Sequence, residues 1–489
     1  MHRYHLLFLA IATALAAGFF TPTDAAADLI LDAKSGGAGT LSIPKLTADA
    51  NNGSAGAALT LGQAYTKGTG VTADAQIAEK WFMKAIALGN KSAGTQLGLL
   101  YLNTSDKGKD IERATKGLQI LRASTFEQGD ANLILGRLHI NGQYVPKSFE
   151  KAEASFRQAI EMGAMDGYYY LGLMYAGDLG FESKIESEKA LEFLSLSSDS
   201  GNFAATQALV KMLREGTRVK KDESRAFQVM DKAARRGNIE AQIFLAEFYE
   251  TGSGVDPDPA KAAELFLTAA EAGNGSAQPK VGLLYQQDDG SLEKDLAASR
   301  QWLEKAAQQG VLEAQFNLAL LLDSQETLTR DEEHLAAKYL IAAATSNHVK
   351  AQDLLGAWYR DNRHVPQDFL VASSWFRRAS DAGNLDSTIN LAQVIEITSK
   401  DSKALQPAFK LYLDTANAGH PVAHFHVARL LVSGRLGRQD FVTAYAHLLV
   451  AAEAGVSLPS ESLPQLEARL SEVQIAQAQA IKAKLKIIE

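Results

Sequence analysis

The chain has no cysteine in 489 residues. That absence excludes disulfides, thiolate nucleophiles and cysteine-ligated zinc, and it removes the thiol that would carry an N-terminal lipid on an exported protein. Proline is scarce, at 11 residues, and tryptophan numbers four. With so few proline breaks and 46% hydrophobic residues, the chain suits packed secondary structure and not a disordered linker. Basic charge is in deficit: 49 lysines and arginines stand against 57 aspartates and glutamates, a formal balance of -8. A general nucleic-acid binder needs a basic stripe, so no nucleic-acid partner is expected. Beyond the N-terminus, no apolar run reaches the roughly 20 residues that a membrane helix requires.

The apolar run that does exist opens the chain. Arg3 lies between His2 and His5, Leu6 to Ala17 is apolar apart from Thr13, Pro22 ends the segment, and Ala25-Ala26-Ala27 offers small residues for a peptidase. Residues 1–27 read as a signal peptide cleaved before Asp28, which makes the mature protein periplasmic or secreted and leaves it no membrane span. Residues 28–54, rich in Gly, Ala, Asn and Asp, read as a flexible leader.

Glycine is plentiful, and its spacing is regular. The series Gly89, Gly129, Gly163, Gly201, Gly237, Gly273, Gly310, Asn347, Gly383, Gly419 and Gly455 advances in steps of 34 to 40 residues. A period in that range is the mark of a stacked repeat protein. Asparagine at 347 fits the series, since it tolerates the left-handed backbone that ends a helix.

The unit from 239 to 274 shows the pattern within one period. Ala241, Leu245, Phe248 and Tyr249 follow helical spacing, a Gly- and Pro-rich turn intervenes, and Ala262, Leu265, Phe266, Ala269 and Ala270 resume it. Nine residues after most terminal glycines sits a small residue, as at Gly98, Gly172, Gly282 and Gly356. Glycine inside a helix costs about 1 kcal/mol against alanine, so the column implies close approach of two helix backbones. Tyr101, Tyr175, Tyr249 and Tyr359 on first helices, and Trp81, Phe193, Trp302 and Trp375 on second helices, supply the large side chains. Asp74, Asp222, Asp258, Asp368 and Asp440 stand where a helix cap is needed. After Gly455, residues 456–489 read as a long capping helix with Leu466, Leu470, Val473 and Ile481 on one face.

The motifs L-G-x-x-Y, G-x-G-V-x-x-D, K-A-x-x-W and A-A-E-x-G-N, as in Leu61-Gly62 to Trp81 and Ala269 to Asn274, resemble the Sel-one-like repeat, a branch of the tetratricopeptide superfamily. About eleven units span residues 55–455, with the second, fifth, eighth and tenth degenerate. The resemblance implies an all-α, right-handed superhelical solenoid of antiparallel helix pairs. It also implies an exported scaffold or adaptor that binds protein or peptide partners through its concave face, in envelope assembly, regulation or host interaction. The envelope polysaccharide machinery is one setting. A peptidoglycan-associated binder or a weak β-lactamase or penicillin-binding enzyme is the alternative.

First-helix positions seven and ten residues after each terminal glycine fall between the buried columns. They are expected to face the partner: Lys211, Phe244, Glu247, Lys280, Asn317, Asn390, Gln393, His426 and Arg429. Catalytic, cofactor and metal sites are not expected. Ser148-x-x-Lys151 and Ser291-x-x-Lys294 fit an acylating serine motif, but neither S-D-N nor K-T-G accompanies them. His420, His424, His426 and His447 cluster late, without a metal-binding motif, and read as surface or groove histidines.

Overall fold

The computed structural model describes residues 42–485 apart from 106–108, 126–127, 290 and 326, so the signal segment lies outside the described residues. All described regular structure is helical: α-helices plus a 3-10 turn at Glu182–Lys184, with no strand among the described residues. The described residues form two compact blocks, divided between Pro257 and Asp258 in the turn of the clearest repeat.

In the N-terminal block, α1 (Ile43–Asn51) precedes α2 (Ala55–Lys67), α3 (Ala75–Ala87), α4 (Ser92–Asn103), α5 (Ile111–Ser124), α6 (Gly129–Asn141) and α7 (Phe149–Glu161). It continues with α8 (Asp166–Ala176), α9 (Ser187–Asp199), α10 (Phe203–Glu215), α11 (Glu223–Arg235) and α12 (Ile239–Thr251). The C-terminal block holds α13 (Pro259–Glu271), α14 (Ala277–Leu284), α15 (Leu296–Gln308), α16 (Leu312–Asp323), α17 (Arg330–Thr345) and α18 (Val349–Asp361). Its remainder is α19 (Phe369–Asp381), α20 (Leu385–Thr398), α21 (Ser402–Asn417), α22 (Pro421–Ser433), α23 (Phe441–Glu453), α24 (Ser462–Glu467) and α25 (Glu472–Lys482). Within each block consecutive helices pack from α1 to α12 and from α13 to α23, and α23 receives both closing helices.

Capping residues start the second helix of most repeats. Asp74, Asp222, Asp258, Asp368 and Asp440 each accept main-chain N–H groups of the helix that follows, as expected. Such a cap stabilises a helix by about 1 kcal/mol. Ser148 does the same for α7, accepting from the Lys151 amide, so this S-x-x-K motif is a helix start. At the other serine, Ser291 Oγ donates to Asp289 Oδ1 at 2.6 Å.

The terminal glycines carry φ between 79° and 96°, and Asn347 takes 64° in the same role. Gly129 departs from the series. It is the first residue of α6, and a Cβ there would lie 2.8 Å from Ala164 Cβ, so close packing accounts for that glycine and not a turn.

Close backbone approach occurs at Gly98 and Gly117, where a Cβ on either would come 3.1 or 2.9 Å from the other's carbonyl oxygen. Elsewhere the small position accepts a side chain. Gly62 faces Phe82, Gly136 faces Phe156, Gly172 faces Leu194, Gly282 faces Leu303 and Gly356 faces Phe376. These knobs sit one residue past the tryptophan column, and Phe82, Phe156, Leu194, Leu303 and Phe376 are all at most 1% exposed. Removing a ring of this kind from a close-packed interior costs about 3–5 kcal/mol.

Adjacent repeats are also clasped by their turns. Tyr144 Oη donates to Leu102 O at 2.9 Å, and Arg218 donates to Ala176 O. In the C-terminal block Arg363 donates to Asp323 O at 2.5 Å and Arg435 to Glu396 O at 3.3 Å. Each donor adds a bond to a carbonyl near the end of the preceding first helix, beyond the reach of that helix's own i+4 amides, although Leu102 O and Glu396 O also accept the Ser105 and Ser399 amides.

The ends differ from expectation in two respects. Part of the expected leader is ordered: α1 starts with Pro44 in its first turn and packs Ile43 and Leu46 against the Ala57 and Leu61 cluster. The expected long closing helix is two short ones, because Ser471 and Gln474 form a capping box that begins a new helix. Leu466, Leu470, Ile475, Ala478 and Ile481 cover the last repeat, but Val473 is 69% exposed.

Candidate partner-binding surface

The expected partner-facing residues fare differently in the two blocks. In the N-terminal block Lys211 is exposed and 3.9 Å from Glu215, one turn along its own helix. Phe244 is half-buried, with its ring 6.1 Å from that of Phe203, and Glu247 is half-buried.

In the C-terminal block Lys280 lies half-buried over the Phe266 ring at 5.3 Å. Asn317 is 7% exposed and contacts Glu313 of its own helix at 3.5 Å, so its side chain is withdrawn from an outside partner. The other four, Asn390, Gln393, His426 and Arg429, join a single polar row.

That row runs across α18, α20 and α22. Asp353 accepts from Ser387 Oγ at 2.7 Å and from Asn390 Nδ2 at 3.0 Å. Arg360 Nη1 donates to Asn390 Oδ1 at 3.0 Å and to Gln393 Oε1 at 3.1 Å, which fixes both amide orientations. The guanidinium is anchored by Asp361 at 2.7 and 2.8 Å. Gln393 Nε2 approaches His426 Nε2 at 3.4 Å, and His426 stacks on Tyr412 with centroids 4.8 Å apart.

The row ends at Glu396, whose side chain is only 7% exposed. Arg429 pairs with both its carboxylate oxygens, at 2.9 and 2.6 Å, and Arg435 with one, at 2.6 Å. Burial pushes the Glu396 carboxyl up, but Arg429 and Arg435 outweigh it and hold the group below its ordinary value. Burial, assisted by Glu396, raises the Tyr412 hydroxyl. Burial and the Arg429 charge lower His426 to about 4, so its ring is neutral at physiological pH.

Asp353, Arg360, Glu396, Tyr412 and Arg435 were missed by the sequence expectation. Arg360 and Glu396 share one offset, 13 residues after Asn347 and Gly383, which lies one turn beyond the position that singled out Gln393. Arg435 comes from an inter-helix turn, 16 residues after Gly419 as Arg363 is 16 after Asn347, and the two make the same kind of clasp to the preceding first helix.

The histidine cluster separates into different roles. His424 and His447 are 0% and 2% exposed and meet through their Nδ1 atoms at 2.8 Å, so they are core residues and not surface ones. Burial and then His424 lower His447 to about 4. His420 starts α22 with Nε2 3.1 Å from Asp386. Among the described residues no group of three or more His, Asp or Glu could hold a metal ion.

The helix pairs, the terminal glycines and the small-against-large columns are matched by a family model, the Sel1 repeat, in nine segments: 55–90, 129–163, 166–202, 208–238, 239–274, 275–311, 312–348, 349–384 and 421–456. The chain belongs to the Sel1 repeat family. The two long unmatched intervals, 91–128 and 385–420, contain the degenerate second and tenth repeats, which nonetheless fold as α4–α5 and α20–α21. Sel1 repeat proteins are protein-interaction scaffolds, and the matching family is a repeat and not a catalytic one.

Among solved structures, a protective antigen present in uropathogenic Escherichia coli strains, displaying an SLR fold, is 26% identical over 90% of this chain and 94% of its own, with a TM-score of 0.57. A Sel1 repeat protein from Oxalobacter formigenes is also 26% identical, over 64% of this chain and 89% of its own, with a TM-score of 0.49. Two curated relatives are alginate biosynthesis proteins AlgK. The one from Pseudomonas syringae pv. tomato is 28% identical over 145 residues, and the one from Azotobacter vinelandii 32% over 95 residues. Those alignments cover 30% and 19% of this Sel1 repeat chain and 29% and 20% of the relatives.

Proposed function

We propose that this Sel1 repeat protein is an exported scaffold that holds protein partners against the first-helix face of its C-terminal block, within an envelope complex. The observation that carries the reading is the row from Asp353 to Arg435. It joins side chains of three successive repeats into a surface whose amides and charges are oriented before a partner arrives, which lowers the ordering cost of binding. The signal-like segment 1–27 supports export, with Asp28 as the first mature residue. The likeness to the two AlgK proteins, short as it is, supports an envelope polysaccharide assembly as the setting.

Crosslinking and affinity purification from the native envelope test this. The full chain is expected to recover discrete partners that an Asn390→Ala/Gln393→Ala variant loses, while its far-UV circular dichroism is unchanged. Equal recovery by the variant would remove the row from the reading.

A further inference from the structure

We propose that the corner of the row formed by His426, Arg429 and Arg435 takes a carboxylate from the bound segment, so that the partner presents an acidic residue at this position. The inference rests on the protein-scaffold reading and adds a chemical class to it.

Three observations converge here. First, two guanidinium groups share the single Glu396 carboxylate, which leaves the corner one positive charge in excess within a chain whose formal balance is -8. Arginine has five N–H donors in a planar fork, and Arg429 directs two bonds at Glu396 while Arg435 directs one at its carboxylate and one at its main-chain oxygen. Both arginine side chains keep 41% and 45% of their surface exposed, so further N–H groups can meet an oxygen from outside.

Second, both ring nitrogens of His426 face donors: Gln393 Nε2 and Arg429 Nη2, each at 3.4 Å. The Gln393 amide cannot simply turn over, because Arg360 donates to its oxygen at 3.1 Å. A neutral imidazole carries a hydrogen on one nitrogen, so one N–H of His426 meets another donor and lacks an acceptor.

Third, Tyr412 lies parallel to the His426 ring, 8° between planes, and holds it in place. Donors from Gln393, His426, Arg429 and Arg435 therefore border one corner whose carboxylate, Glu396, already receives two arginines and the Tyr412 hydroxyl. A carboxylate supplies what is missing, two acceptor oxygens and one negative charge, in the geometry that guanidinium groups bind best. The overall acidity of the chain opposes a long acidic tract, so the segment that fits carries one acidic residue between neutral ones.

A random heptapeptide display library selected on the immobilised full chain tests this, with Arg435→Gln as the variant, since Glu396 keeps Arg429 as its partner there. Wild type is expected to enrich peptides with Asp or Glu at one position. Changing that residue to its amide, or the protein to R435Q, is expected to weaken binding about 10-fold or more, and the two changes together should weaken it little further. Peptides without an acidic position, or equal affinity for wild type and R435Q, overturn the carboxylate and leave the scaffold reading intact. If no peptide is selected and a uronic-acid oligosaccharide binds with R435Q sensitivity, both readings fall together.

Discussion

The first helices of the two blocks are built on the same repeat, yet their variable positions behave differently. In the N-terminal block Lys211 and Phe244 find neighbours singly, one an exposed ion pair within its own helix and the other a ring contact. In the C-terminal block Asn390, Gln393, His426 and Arg429 are tied by Arg360 and Glu396 into a row that crosses three repeats. The histidines follow the same division: seven of the chain's ten lie beyond residue 258. A repeat therefore fixes where a side chain stands, while its neighbours in adjacent repeats decide whether it acts alone or in a set.

The largest expected difference between the blocks concerns their carboxylates. Glu396→Ala leaves Arg429 and Arg435 without their shared acid and should lower stability by about 2–4 kcal/mol, a range set below that of a fully buried pair because both arginines are half-exposed. Glu215→Ala, the corresponding loss beside Lys211, should change it by less than about 0.5 kcal/mol. Urea unfolding of the two variants measures both, and similar effects would erase the contrast.

Next in size is the dependence on pH. His426 and His447 have folded values of about 4 against an ordinary 6.5. The unfolded chain thus binds these protons first, and stability should fall as pH drops from about 6.5 to 4. Glu396, lowered below its ordinary value, adds a further loss on stronger acidification, below its ordinary range. Replacing both core histidines, His424→Leu/His447→Leu, removes the buried pair together and should flatten the melting-temperature profile over the same interval. An unchanged profile would mean that other groups set it.

The smallest effect sharpens the comparison most. A double-mutant cycle of Arg360→Ala with Gln393→Ala should show a coupling of about 0.5–1.5 kcal/mol, while Lys211→Ala with Phe244→Ala should be additive within about 0.5 kcal/mol.

Architecture was legible in the sequence because it depends on columns. The aspartates at 74, 222, 258, 368 and 440 cap helices, and Asn347 takes the glycine's left-handed backbone. Gly129 misled because a glycine needed for close packing looks like one needed for a turn. The closing helix divides at Ser471 because a capping box of two residues overrides the apolar spacing on either side. The row was half legible: offsets of seven and ten residues pointed to four of its members, Asn390, Gln393, His426 and Arg429. Those offsets could not reveal that Asn317 is buried, nor that Arg435 reaches Glu396 from 39 residues away. Such links depend on contacts between repeats, which one period does not encode.

The central claim is that partners are held by the C-terminal row. The most direct measurement compares partner recovery from the native envelope by two triple variants of the full chain, Asn390→Ala/Gln393→Ala/Arg435→Gln and Lys211→Ala/Phe244→Ala/Glu247→Ala. The account expects the first to lose its partners and the second to keep them, with both retaining wild-type helical spectra. Loss in the second with retention in the first would contradict it.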